Sequence, residues 1–594
     1  MFRKSMPFCV LLSVHFSLAS PLPQVIGLKA FHKSGRTFLT WREVGLPQVK
    51  EPVSVKKLRA MRKQFGEDLK VRFRVYRSTK PITALSGLRP IAEVEPFSAW
   101  NLDFYGIYPR PEDRAFRYVL ADGGDPVPAG TGLYVYVAKR NERAYYAITY
   151  VKGEKENRTL SPANSLKEPL LESAGPGEPV LQRIEKPKSF NYVPNPTLYY
   201  YVRWEGPENC ASPGMPFDYL VAVPPKKLTP APVGIHLHCW GGNLNRGYGW
   251  WYNAEKGALL LSSNQIPYDW WTGYHERYFK GPRKEKIWRN GVVRPYTQRR
   301  LLSFLNWLAG KRPIDLTRTF TAGNSMGGSG SPMFAIRHPD RIAWAVSWVG
   351  VHVPQHSPQF KGSYARVWGE PGWNVKFEDG TPVWDYYNDV WYLRRYPKAE
   401  IGFITFSNGK NDRGIGWKQA VDFWRALQET HRPHVFVWGQ GGHGQRARMP
   451  VTLGERVLPL DIRTNQSLPA FSNCSLDDDP GNGDPDSGDP EGQSNLYLFW
   501  ETDSIIETAS RWEVTLGLIE KAPKNFCTVD VTPRRLRSFK LSPGCEVSWR
   551  VTSVETGKTL ASGTAQADRF GLVTIARVPV SKKRVRLAVR NISK

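Results

Sequence analysis

Past the extreme N-terminus, no apolar run in the 594 residues is long enough to cross a bilayer, which argues against an integral membrane protein. Zinc-finger spacing, an arginine-rich helix and an RNA-binding signature are all absent. The net charge of +28 is scattered over the whole length and reads as a general surface bias, not a nucleic-acid interface. Internal repeats are absent as well. Cysteine is scarce, with six residues. Residues 1–19 have the pattern of a secretory signal: Arg3 and Lys4, an apolar stretch, then Ser17-Leu18-Ala19 as a cleavage site. No cysteine follows that site, so a lipoprotein anchor is not indicated. Removal of the segment leaves five cysteines and at least one unpaired thiol in a monomer, with Cys527 and Cys545 the expected disulfide. A secreted or periplasmic protein is expected.

An apolar fraction of 41% and a charged fraction of 23% suit a globular chain, and the length calls for several domains. Residues 20–172 read as short alternating strands. In Val71-Arg72-Phe73-Arg74-Val75-Tyr76 every second side chain is apolar, as in an antiparallel sandwich. A Gly/Pro-rich linker at 172–179 follows. From 180 to 450 the texture changes. Apolar runs at 233–238, 258–262, 319–323, 343–349, 400–406 and 434–438 alternate with helical patterns at 297–309 and 417–429, the mark of an α/β domain with a mostly parallel sheet. Strand patterns return in 451–594, expected to be a C-terminal β domain of sandwich type.

The sharpest chemical signal is Gly323-Asn324-Ser325-Met326-Gly327, a G-x-S-x-G between a strand and a helix pattern. Small flanking residues allow a turn tight enough to expose the serine hydroxyl, and the new helix offers the Met326 N–H to a developing oxyanion. A serine hydroxyl needs a base, and the base needs an acid to orient it. Asp412 follows the strand at 400–406, and His443 follows the strand at 434–438 among glycines. Asp422, mid-helix, and His431 and His434, at element ends, are the weaker rivals. The second oxyanion donor is expected after the strand at 233–238, where Cys239-Trp240-Gly241-Gly242 offers the N–H of Trp240 or, alternatively, Gly241. His238 is read as a brace for that loop.

These residues together resemble the α/β-hydrolase superfamily. Asn324-Ser325-Met326-Gly327-Gly328 followed by Ile336-Arg337-His338-Pro339-Asp340-Arg341 resembles its secreted esterases, which include feruloyl and acetylxylan esterases, the esterase D type and polyhydroxybutyrate depolymerases. The N-terminal segment resembles a fibronectin type III module. The resemblance implies an α/β-hydrolase core flanked by two β-sandwich-like domains, and hydrolysis of carboxylic esters through an acyl-enzyme with no cofactor required. His238-Cys239-Trp240-Gly241-Gly242 departs from the family's H-G-x-G-G in having Cys239. The triad spacing also resembles prolyl oligopeptidase-type peptidases, but 20–172 is too short for their propeller. A hydrolase fold kept only for binding is the non-enzymatic alternative.

Of the 22 tryptophans, Trp250, Trp251, Trp270, Trp271 and Trp348 lie in stretches expected near the cleft, where flat rings would suit sugar or aromatic groups. An aromatic-rich insertion at 354–398 is placed to form a lid or platform. An ester-bearing substrate, polymer-bound in one version, is the expected partner. The acidic loop 477–491 has closely spaced carboxylates, Asp477, Asp479, Asp484 and Asp486 among them, of the kind that wraps a structural calcium, although the EF-hand order is missing. A solvated acidic loop is the competing reading.

Overall fold

The computed structural model describes residues 21–247, 250–443 and 462–592. The proposed signal at 1–19 and the stretch 444–461, which holds the expected boundary at 450/451, lie outside them. In the N-terminal segment, strands Ile26–Lys33, Arg36–Arg42 and Thr131–Val137 form one antiparallel sheet, and a five-stranded sheet is built around Val71–Ser78 and Glu142–Lys152. Their alternating inner faces share one core that includes Leu39, Trp41, Phe73, Val75, Ile148 and Tyr150. An α-helix, Val55–Arg62, stands where the sequence pattern placed no element. Ser54 caps it, its Oγ accepting from the Lys57 N–H at 3.3 Å. Of the linker expected at 172–179, Glu172 closes the strand Leu170–Glu172 and the rest is stitched down: buried Arg36 donates to the carbonyls of Gly175, Pro176 and Trp204.

The next segment builds a ten-stranded sheet. Its strands, in chain order, are β1 (Val180–Glu185), β2 (Thr197–Trp204), β3 (Pro216–Val223), β4 (Ala231–Leu237), β5 (Leu259–Ser263), β6 (Ile314–Asn324), β7 (Trp344–Trp348), β8 (Phe403–Gly409), β9 (His434–Gly439) and β10 (Gly492–Ser494). Their spatial order is β1-β2-β3-β5-β4-β6-β7-β8-β9-β10. Pairing is parallel from β5 through β9 and antiparallel at both margins. The helices α1 (Tyr296–Ala309), α2 (Met326–Arg337) and α3 (Trp417–Glu429) pack on one face.

A parallel sheet must be covered on both sides. Here the second cover is the C-terminal β segment. Trp344, Val346 and Trp348 of β7 and Phe403 of β8 share a core with Phe471, Trp500, Trp512 and Leu516, while Ala345, Ile404 and Phe406 point to the helical face. The period of two in these strands is what lets both faces be apolar. Buried Arg535 ties the layers by donating to the carbonyls of Ala343, Ile401 and Arg463.

The residues from 462 on carry two antiparallel sheets of their own, of three and five strands, and one short strand, β10, that pairs with β9 at the margin of the ten-stranded sheet: Phe436 opposes Ser494 and Trp438 opposes Gly492. The expected Cys527–Cys545 disulfide is corrected. Cys527 and Cys545 are both thiols. Cys527 is buried beside Cys474, whereas the Cys545 Sγ lies 3.3 Å from the Asn591 Oδ1. Cys527 lies within the strand Phe526–Arg534 and Cys545 just before the strand Glu546–Ser553, in different surroundings. No helix of the described residues is long and apolar enough to cross a membrane.

Candidate active site

Ser325 stands between β6 and α2 with φ 57° and ψ −115°, a conformation that L-residues adopt only under constraint. Three strand ends impose it. The Ser325 N–H donates to the Trp348 carbonyl at the end of β7 at 2.8 Å, and the Ser325 carbonyl accepts from the Ser329 N–H at 2.8 Å. A Cβ at Gly327 would overlap the Leu237 carbonyl at the end of β4, and one at Gly323 would overlap the Gly327 main chain. Both glycines of the motif are thus demanded by close backbone approach. The hydroxyl is drawn out of the sheet plane at the head of a helix whose first N–H groups have no intrahelical acceptor.

His443 follows β9. Its Nε2 lies 2.8 Å from the Ser325 Oγ, and its Nδ1 lies 2.7 Å from the Asp412 Oδ2. The imidazole is half-exposed; the carboxylate is buried. The other Asp412 oxygen, Oδ1, accepts the N–H groups of Gly414 at 3.1 Å and Ile415 at 3.0 Å, so one oxygen fixes the loop and the other faces the ring. The Asn411 N–H donates to the Gly441 carbonyl at 3.2 Å and its side-chain amide to the Gln440 carbonyl at 2.7 Å, which staples the two loops together. The rivals stand elsewhere: Asp422 pairs with Lys418 on the surface, and His434 is buried with its Nδ1 on the Arg432 carbonyl.

The loop after β4 turns tightly, the Gly242 N–H donating to the Cys239 carbonyl at 2.9 Å, with Gly241 at φ +74°. Trp271 holds it from below, its indole N–H donating to the His238 carbonyl at 3.0 Å, and the Tyr268 hydroxyl donates to the Gly242 carbonyl at 2.9 Å. Burial pushes the His238 imidazole down to about 4, so it is neutral and its Nδ1–H donates to the Cys239 carbonyl. Gly327 also sits against the His238 carbonyl. The chain at Leu237 and His238, which leads into Trp240 and Gly241, therefore lies against the head of α2.

Among the described residues, the four expected platform tryptophans do not form an exposed surface. Trp250, Trp270, Trp271 and Trp348 are all buried. Trp250 donates to the Ala258 carbonyl inside a core cluster, and Trp348 faces the C-terminal layer. Trp270 stacks on Tyr364 at 4.3 Å. Rings of that size yield most when fully removed from water, and a scaffold with three layers offers room for it. The Trp251 side chain lies outside the described residues. The insertion at 354–398 contributes Phe360, whose ring centroid is 6.3 Å from that of His443.

The acidic loop does not gather a cation site either. Among the described residues no three acidic, histidine or cysteine side chains converge as metal ligands. Asp477 is buried and accepts from the Ser494 hydroxyl and the Asn495 N–H; Asp479 accepts from the Gly481 N–H and Asp484 from the Asp486 N–H. The cation the loop wraps is Lys410, two residues from Asp412. Its buried ammonium donates to the carbonyls of Ser487 at 2.7 Å and Asp489 at 3.0 Å, and the Trp438 indole N–H also donates to Asp489. Burial lowers the Lys410 pKa, against the charges of Asp489, Asp479, Asp486 and Asp484. Lysine beside the acid, with a carboxylate loop eighty residues on, is a signal that sequence pattern alone does not connect.

Residues 269–445 match the family model described as a putative esterase. No curated protein matches the chain. Among solved structures it is similar to an S-formylglutathione hydrolase from Agrobacterium tumefaciens, at 16% identity over 44% of this chain and 92% of that one, with a TM-score of 0.31. A ferulic acid esterase has 17% identity over 42% and 91%, with a TM-score of 0.29. The acylaminoacyl peptidase of Pyrococcus horikoshii has 12% identity over 70% and 59%, with a TM-score of 0.30. The family match, of the esterase type, spans β6 to β9 with the three loops that carry Ser325, Asp412 and His443, and it begins after the loop that follows β4.

Proposed function

We propose that the protein is a serine hydrolase that cleaves carboxylic esters through an acyl-enzyme on Ser325. The observation that carries this reading is the continuous relay from the Ser325 Oγ through His443 to Asp412, at 2.8 Å and 2.7 Å. The serine oxygen attacks the acyl carbon while its proton passes to the His443 Nε2. Asp412 keeps the other ring proton on Nδ1 and stabilises the imidazolium. The N–H groups of Met326 and Trp240, or Gly241 in place of Trp240, take the oxyanion, the largest expected single contribution to rate. The Nε2–H then protonates the departing alkoxide, the alcohol leaves, and water repeats the sequence on the acyl-serine. The esterase-type family match over the three loops supports ester over amide substrates.

A panel of acyl esters and dipeptide amides, run with wild type and Ser325→Ala, tests it. Ester turnover should exceed amide turnover and fall by roughly 10⁴-fold or more in the variant. Amide cleavage without ester turnover, or turnover that survives Ser325→Ala, would overturn the reading.

A further inference from the structure

The N-terminal module has a loop, residues 102–110, that leaves its own domain and lies on the loop after β4. Arg59, on the helix Val55–Arg62, grips it from one side: Nη2 donates to the carbonyls of Leu102 at 2.6 Å and Gly106 at 2.7 Å. From the other side, the buried Asn264 amide, just past β5, donates to the carbonyls of Asp103 at 2.8 Å and Phe104 at 3.0 Å. The Ile107 N–H reaches the Tyr268 hydroxyl at 3.4 Å, the same hydroxyl that donates to Gly242. Contact is backbone to backbone. Gly106 has φ +70°, and a Cβ there would come within 2.7 Å of both the Gly242 carbonyl and the Tyr268 hydroxyl. A Cβ at Gly241 would come within 2.8 Å of the Tyr108 ring.

So fixed, the loop holds two apolar side chains out to solvent, Ile107 at 41% and Tyr108 at 67% exposure. Tyr108 touches Gly241, and the half-buried Trp240 is the next residue in the chain, with the Arg366 guanidinium 5.0 Å from its ring. An aromatic ring left in water on a backbone that is pinned from both sides loses little entropy when a ligand covers it. Trp240 itself packs on Tyr268 and Trp270, and the exposed Tyr108 beside it offers a flat apolar face with a polar edge, which suits a six-membered ring.

We propose that residues 102–110 form a wall of the substrate cleft and that Tyr108 determines specificity by stacking on an aryl or pyranose ring next to the scissile ester. The proposal rests on the ester-hydrolase reading and assigns the N-terminal module a part in the site.

The test uses the full chain and compares kcat/KM for a linear acyl ester, an aryl-bearing ester and an acetylated pyranoside. Tyr108→Ala should lower the ratio of ring-bearing to linear kcat/KM by roughly three- to tenfold, through KM. Tyr108→Phe should keep the ratio. A fall with the aryl ester only, the pyranoside only or both supports the wall and says which ring it takes. An unchanged ratio, or an equal loss on all three esters, overturns it. Ester turnover that persists in Ser325→Ala would overturn the parent reading instead, so the two failures are distinguishable.

Discussion

Residues 102–110 reach the catalytic sheet edge from the N-terminal module and residues 477–491 reach it from the C-terminal one. Each is held by a cation that donates to main-chain carbonyls, Arg59 in the first and Lys410 in the second. The first meets the loop after β4 and leaves Ile107 and Tyr108 exposed above it. The second lies behind the acid loop, and its contact with the site runs through a lysine that is itself buried. Under the two proposals above, the first adds surface for a substrate to touch, and the second adds rigidity around the buried Asp412 carboxylate. The difference predicts that perturbing the first changes discrimination between esters, while perturbing the second changes all esters by one factor.

The largest expected effect is at the point the second loop supports. Asp412→Asn should keep the backbone contacts of Oδ1 and lose the proton-orienting role of Oδ2, lowering kcat by about 10⁴-fold on ring-bearing and linear esters alike. Lys410→Met leaves the Ser487 carbonyl without its donor and the Asp489 carbonyl with the Trp438 indole N–H alone. It should destabilise the chain by about 1–3 kcal/mol in denaturant unfolding. It should also lower kcat by up to about 10²-fold, by the same factor for every ester, because the acid is displaced and the cleft wall is not. A substrate-dependent loss there would erase the distinction between the two modules.

On the oxyanion side, Trp271→Phe removes the indole N–H from the His238 carbonyl and should cost about 1 kcal/mol, or roughly fivefold in kcat. The smallest effect on activity is expected far from the site, in the N-terminal module. Glu43 is buried and its pKa is pushed up to about 8, mainly by desolvation. A carboxyl raised in the folded state contributes stability that is complete below its unfolded value and lost as pH rises through the folded one. Thermal midpoints should therefore fall as pH rises from about 5 to about 8. Glu43→Gln should flatten that slope without altering kcat, and an unchanged slope would remove Glu43 as its source.

Much of the sheet was legible in the residues because buried parallel strands read as apolar runs. The run at 343–349 is apolar on both faces, and the structure shows why: one set of side chains meets α-helices, the other the C-terminal layer. The motif around Ser325 was legible for a local reason, since its glycines serve contacts within the turn or with the nearest strand end. The loops at Asp412 and His443 could be read from their place after successive strands. What escaped was long-range. The tryptophans carry no mark of burial in their sequence neighbourhood, and Phe104-Tyr105-Gly106-Ile107-Tyr108 has no pattern that links it to a loop 130 residues on. The carboxylates of 477–491 look like ligands for a metal until Lys410 is brought among them.

Reaction with a fluorophosphonate followed by peptide mass spectrometry tests the central claim most directly, since only an activated serine forms the phosphonyl ester. The account predicts one adduct, on the peptide that contains Ser325, absent in Ser325→Ala and formed far more slowly in His443→Ala. A folded wild-type chain that stays unmodified, or an adduct on another residue, would contradict it.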